Sequence, residues 1–245
     1  EMCIRDSDKA FEDFRRQGFP TKKVERYKYT DMQKLFEPDY GLNLNRLEIP
    51  VNPYDTFKCD VPNLSTSLYF IVNDQFYSKS LPKAKLNDGV IVDSLNHVAT
   101  ERPELVAKYY GRLANTEADA ITALNTMLAQ DGLFIYVPKN VQLERTIQVI
   151  NILRSDVDLM VNRRVLIVLE EGAKAQFLFC DHAADDRNFL ATQVIEAYVG
   201  ANANLELNCL EETHAKNVRV SNVYIEQQRD SRASHNVITV SYTHL

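Results

Sequence analysis

The chain has 245 residues, 45% of them apolar and 25% charged, with a formal net charge of −6. That length buries a substantial core in one large or two small domains, and the acidic balance supplies no global positive field to draw the protein to nucleic acid or an anionic membrane. No run approaches the ~18 apolar residues that a membrane span requires, and the opening EMCIRDSDKA lacks the apolar core of a secretory signal, which predicts a cytoplasmic protein.

The two ends read as foreign. EMCIRDS (residues 1–7) and SYTHL (residues 241–245) are similar to translated sequencing-adapter residue and are set aside from fold reasoning. That removes Cys3 and His244 from any ligand count and implies a fragment cut at Val240. Cys59, Cys180 and Cys209 remain, widely spaced and without a C-x-x-C pair, which argues for free thiols.

The first half is mixed. Ala10, Phe11 and Phe14 at helical spacing predict a helix over Asp8–Gln17, stopped by Gly18 and Pro20. Thr30 is the expected cap of a short helix through DMQKLF. Glu37–Thr66 reads as extended loop, Leu68–Leu81 as a hairpin turning at Asn73–Asp74, and Val90–Leu95 as a strand. Two helices follow: Thr100 is the expected cap of the first, with Pro103 in its first turn, and Thr116 with Asp119 forms the expected capping box of the second, which ends at Asp131–Gly132.

From Leu133 the periodicity changes to two, and eight short strand candidates follow without a helix between them. LEEGAKAQFLF and AYVGANANLEL align with Gly172 over Gly200, a spacing of 28 residues. Short strands recurring at a fixed period favour a solenoid of stacked coils over a sandwich or barrel. On the pattern alone, a sandwich or barrel stays open beside the parallel β-helix.

Chemical motifs are sparse. With seven glycines there is no G-x-x-x-x-G-K-[ST] or G-x-G-x-x-G, so no backbone cradle for phosphate. Cys180 and His182 share one face of a strand and could reach one ion. The 28-residue alignment, however, puts Cys180 over Asn208 and Cys209 on the opposite face, inward with Phe177, Phe179, Leu205 and Leu207. Cys180 and His182 are then expected to face solvent or a partner, and no metal site is assigned. Asp185, Asp186 and Arg187 sit beside His182 in one polar loop, with no nucleophile converging on them, and His97 and His214 are isolated. EET after Cys209 and Gln228–Arg232 read as charged turns. No catalytic residue is expected, and cofactor-binding residues are left unassigned.

Lys22, Lys23, Arg26 and Lys28 interleave with Tyr27 and Tyr29 in the stretch Gly18–Asp31. A nucleic-acid surface needs basic residues repeated across a face with aromatics free to stack, and this single cluster is diluted by Glu25 and Asp31. The expectation is structural: both tyrosines pack against the core and the lysines extend to solvent.

This segment resembles the N-terminal signature of the SufB/SufD family, scaffold proteins of the SUF iron–sulfur cluster assembly system. Gly18, Pro20, Thr21, Glu25, Lys28, Tyr29, Thr30 and Asp31 match the family pattern, and Tyr27 stands where Trp is common. Ala123–Asn151, Arg164–Leu178 (with its Glu-Glu-Gly-Ala step) and Gln227–Val240 resemble later blocks of the family in the same order, so the resemblance spans nearly all of Asp8–Val240. It is nearer to the SufD branch, because the mixed N-terminal domain leads into the β-helix without the longer insertions of the SufB branch. The resemblance closes that question: it implies a mainly β fold, with a small α/β N-terminal domain over residues 8–130 and then the first coils of an incomplete right-handed parallel β-helix over residues 131–240, and a non-catalytic subunit working with a SufB-like paralogue and a SufC-like ATPase. It further implies that an iron–sulfur cluster and reduced flavin are handled at the level of the full complex, with no cofactor held by this stretch. The family's functional residues lie beyond Val240, so none transfers. The competing reading is a stand-alone β-helix acting on or binding polysaccharide, for which Asp185, Asp186 and Arg187 are the nearest candidates.

Overall fold

Alternation with period two places one set of side chains inside and the next outside on each strand of the second half. In the computed structural model, which describes residues 2–42, 53, 66–79, 86, 89–183, 186–212 and 216–240, those strands alternate between two sheets. Strands β5 (Leu133–Val137), β7 (Leu159–Leu169), β9 (Phe189–Val199) and β11 (Asn217–Gln227) form one sheet in parallel. β6 (Thr146–Leu153), β8 (Lys174–Ala183), β10 (Asn204–Glu212) and β12 (Arg232–Val240) form the other. The result is a parallel β-solenoid of about three turns with an N-terminal α/β region. Phe177 and Phe179 of β8 meet Ile167, Ile195 and Ala197 of the facing sheet, in a core that also takes in Leu205, Leu207 and Cys209. The inward set predicted from the pattern is correct.

The register differs from the expected one. β8 pairs with β10 so that Leu178 faces Asn208, Phe179 faces Cys209 and Cys180 faces Leu210, a step of 30 residues between those two strands. The 28-residue step holds instead for β9 with β11, where Phe189 faces Asn217, and for β10 with β12, where Asn204 faces Arg232. The error came from aligning glycine on glycine. The tight turns between the sheets each carry one left-handed residue, and its identity changes from coil to coil: Asn140 (φ 61°), Gly172 (φ 70°), Asn202 (φ 58°) and Asp230 (φ 58°). These stack, with Asn140 N–H donating to the Glu171 carbonyl, Gly172 N–H to Ala201 and Asn202 N–H to Arg229. Asn and Asp tolerate this conformation better than most residues. Gly172 therefore stacks next to Asn202, while Gly200 lies where its coil crosses the backbone of Glu170 and Glu171.

The N-terminal region shares both sheets with the solenoid. β2 (Thr66–Val72) pairs with β6 and turns at Asn73–Asp74 into β3 (Gln75–Phe76), as the hairpin reading expected. β4 (Ile91–Ser94) pairs antiparallel with β5, and β1 (Gly41–Leu42) lies beside β7. The remainder of the expected loop Glu37–Thr66 falls mostly outside the described residues, as do Cys59, Asp185, His214 and residues 241–245.

Helices α1 (Met2–Gln17), α2 (Met32–Leu35), α3 (Leu95–Glu101), α4 (Pro103–Tyr109) and α5 (Ala120–Leu128) complete the region. Residues 2–7, set aside as foreign, continue the backbone of α1. Three expected caps are displaced by one to six residues. Asp31, not Thr30, accepts the N–H of Lys34 to cap α2, and Ser94 caps α3 by accepting from His97. Thr100 lies inside α3, bonding back to the Asn96 carbonyl, and α4 starts at Pro103 with no side-chain cap. Asp119 alone caps α5, through the N–H of Thr122, while Thr116 bonds Asp13. The last helix also stops at Leu128, earlier than expected, with Ala129 already extended; Asp131 accepts from Ser94, Asn96 and Phe76, fastening α3 and the hairpin together. Among the described residues no helix is long and apolar enough to cross a membrane.

Gly172→Ala and Gly200→Ala should each lower the melting midpoint. A Cβ on Gly172 adopts a strained φ and comes 2.4 Å from Asn140 Oδ1, and one on Gly200 comes 2.7 Å from the Glu171 backbone nitrogen. A loss of about 1–3 kcal/mol in urea unfolding is expected for each, against no change for Gly111→Asn, whose left-handed site is open.

Candidate functional site

β7 carries two adjacent arginines in a strand whose one other polar residue is Asn162, and alternation sends the arginines to opposite faces. Both are fully buried. Two buried charged layers result, one outside and one inside the solenoid.

Outside, Arg164 Nη2 donates to Glu196 Oε2 of β9 at 2.6 Å, with both side chains withdrawn from solvent. Its Nη1 donates to Thr126 of α5, and the guanidinium lies 4.7 Å from the centre of the Tyr110 ring. Glu196 also accepts the backbone N–H groups of Gly111, Leu113 and Ala114. One carboxylate thus holds the whole α4–α5 connection against the sheet. Asp6 of α1 lies close enough to feel this pair. Burial raises its pKa, and Arg164 and Arg112 oppose the shift. Beside it, Asn125 of α5 donates to the carbonyls of Arg163 and Thr192 and to the Thr192 hydroxyl.

The same seam absorbs part of the basic N-terminal stretch. Tyr27 is buried and its hydroxyl donates to Asp119 Oδ2 at 2.8 Å. Arg26 reaches the same oxygen, while Asn222 of β11 donates to Oδ1. Burial first, then the Asp119 charge, push the Tyr27 phenol well above its ordinary range. Lys28 pairs with Glu25 and Lys22 with Asp31. The structural expectation holds for Tyr27 and fails for Tyr29, which is 89% exposed and covered only by Lys28 on its ring.

Inside, Arg163 donates through Nη1 to Asp181 of β8 at 2.5 Å and through Nε to the Asn73 carbonyl at the hairpin turn. Arg219 of β11 completes the layer by bonding Asp181 and Glu211 of β10. Burial lowers the Arg163 pKa, and Asp181 opposes that shift. Glu211 and Glu212, expected in a turn, belong to β10, because the inward position of Glu211 is matched by Arg219.

The cysteines and histidines separate. Cys209 points inward, 3.7 Å from Nε2 of His235, and burial pushes its thiol up to about 11, leaving little thiolate at neutral pH. Cys180 does not face solvent as expected. It is buried on the outer face of its sheet with Phe70, Ile150 and Ile152, because β2 carries apolar residues on that face too. His182 is half-buried, 3.9 Å from Glu212, and Asp186 pairs with Lys216 across the coil step. His97 bonds Asp93 at the surface. Among the described residues no three His, Cys, Asp or Glu side chains converge to hold a metal ion.

The sequence reading missed Arg163, Arg164, Asp181 and Glu196. The available signal was LMVNRRVLIVL itself: a charged pair inside an apolar strand is costly to bury unless both faces supply carboxylates.

Comparison with known families settles the lineage. The sequence profile described as "SufBD protein N-terminal region" matches residues 2–149, and that described as "SUF system FeS cluster assembly, SufBD core domain" matches residues 151–243. The chain belongs to the SufB/SufD family. Within the SufB/SufD family it is 32% identical over 143 residues to "Iron-sulfur cluster assembly SufBD family protein ABCI8, chloroplastic" of Arabidopsis thaliana, covering 57% of this chain and 24% of that protein. It is 31% identical over 120 residues to "Iron-sulfur cluster assembly protein SufD" of Bacillus subtilis, covering 49% of this chain and 27% of that one. The matched stretch spans about a quarter of the length of these two relatives.

Glu196→Gln leaves Arg164 buried without its counter-charge and should cost about 3–5 kcal/mol. Adding Arg164→Met should recover much of that loss, as a double-mutant cycle in urea will read. Tyr27→Phe should cost about 1.5–3 kcal/mol by losing a bond to a charged partner, whereas Tyr29→Ala should stay within about 0.5 kcal/mol.

His182 and His235 titrate below the ordinary 6.5, both chiefly through burial; Glu212 opposes the shift at His182 and Arg219 adds to it at His235. Folding favours their neutral forms, so their contribution is complete above that value and is lost as pH falls through the depressed folded pKa. His97 shifts upward through Asp93 and opposes this trend, but it is exposed and screened. The urea midpoint should therefore fall between about pH 7 and about pH 5, and less steeply in a His182→Asn, His235→Asn variant.

Proposed function

We propose that this chain forms part of a non-catalytic scaffold subunit of the SUF iron–sulfur cluster assembly machinery, of the SufD type, working in the cytoplasm with a SufB-like paralogue and a SufC-like ATPase. The observation that carries this reading is the consecutive match of the N-terminal region and then the core domain of the SufB/SufD family, nearly end to end along the chain. The physical organisation supports it. The ionisable side chains of the two layers pair with one another across the coils, which suits a rigid support. The sequence holds no glycine-rich phosphate loop, so nucleotide chemistry would belong to the partner. The cluster, in this reading, is cargo of the complex, and reduced flavin would likewise be bound at that level.

Co-expression of the complete native gene with its SufB-like and SufC-like neighbours tests the proposal. The expected result is a single complex on size exclusion in which ATP hydrolysis requires the SufC-like subunit and cluster formation requires all three. Elution of this subunit alone, with cluster formation undiminished when it is left out, would contradict it.

A further inference from the structure

The inner charged layer of Arg163, Asp181, Arg219 and Glu211 divides the lumen. On one side lies the large apolar core, and on the other a small cluster of Leu153, Leu159, Val161, Phe189 and Ala191. A cavity of about 20 Å³ lies at this division, lined by the four charged side chains together with Leu153, Ala191, Asn217 and Val218. Its room comes from one small residue: in the stacked register Ala191 is the rung between Val161 and Arg219. Two of the lining residues have hydrogen-bonding capacity left over. Among the described residues, Arg163, 1% exposed, has no partner at Nη2, and Asn217 has none at either its amide nitrogen or its oxygen.

We propose that this cavity is a built site for one neutral, water-sized molecule that both donates and accepts hydrogen bonds, and that water is the ligand. The volume exceeds the ~10–15 Å³ that a single water needs. Arg163 Nη2 can only donate, so the guest must accept there. Asn217 offers both a donor and an acceptor, so the guest gains most by being able to do both. Charge excludes an ion. Two guanidiniums and two carboxylates line the space, so an anion meets Asp181 and Glu211 and a cation meets Arg163 and Arg219. A buried donor left empty-handed carries the desolvation penalty of an unsatisfied polar group, and a bound water removes it. Seated there, it joins β7 to β11 across the intervening β9, tying non-adjacent coils through the lumen.

A crystal structure of the complete protein, at a resolution that shows ordered water, decides the matter when collected with and without sodium bromide. The expected result is a water peak within hydrogen-bond distance of Arg163 Nη2 and no bromide anomalous signal at that position. A bromide peak in the cavity, or an empty cavity, would overturn the proposal. Ala191→Val fills the space while leaving all four charged side chains in place, and the peak should be lost. A water retained at full occupancy in that variant would also overturn it.

Discussion

The contact between Arg164 and Glu196 governs the arrangement of everything outside the solenoid. A charge pair withdrawn from water is tolerated only where further hydrogen bonds satisfy its remaining valences. Here those bonds come from the very segments that must be fixed: Thr126 on α5 and the backbone of the α4–α5 connection. The apolar residues of α3 and α4, among them Leu95, Val98 and Val106, bury against Phe134, Leu166 and Val168 and supply attraction without direction. The ion pair supplies the register, because a shifted α4–α5 connection would leave Glu196 charged, dry and unsatisfied. Asp119 plays the same part further along, collecting Tyr27, Arg26, Thr122 and Asn222 so that N-terminal stretch, helix and last coils meet at one carboxylate.

Inside, the constraint is different. Parallel strands stack coil on coil, and each tight turn must reverse the chain within four residues without pulling neighbouring rungs out of line. The column of left-handed residues at positions 140, 172, 202 and 230, the first three donating their N–H to the carbonyl just before the next one, meets that requirement with three different amino acids. The charged layer then interrupts the apolar lumen at one level, binding β7, β8, β10 and β11 to one another and, through Asn73, to the hairpin that precedes the solenoid. N-terminal region and solenoid are joined through both layers as well as through both sheets.

Much of this was legible in the sequence. The period-two alternation from Leu133 onward located every solenoid strand and the correct inward set, and the turn at Asn73–Asp74 marked the hairpin. What escaped had specific causes. Coil length varies, so matching Gly172 to Gly200 by identity was less informative than matching left-handed positions, which Asn and Asp also fill. Helix caps were misplaced where several Ser, Thr and Asp residues compete locally and tertiary contacts choose among them: Thr116 is taken by Asp13, leaving Asp119 to cap alone. The burial of Cys180 depends on a strand more than a hundred residues earlier in the chain. Arg163 and Arg164 escaped because a charged pair within an apolar strand is recognisable as buried only once Asp181, 18 residues on, and Glu196, 32 residues on, are read as its partners.

Buried ion pairs bind the helical layer and the solenoid into one body. Native-state hydrogen exchange on the complete protein tests this directly, by comparing amides of Ala120–Leu128 and the Gly111–Ala114 connection with those of β7 and β9. One body predicts that the slowest amides in both sets open with the same free energy and the same denaturant dependence. Helical amides that exchange through a separate opening, several kcal/mol easier and insensitive to denaturant, would contradict the account.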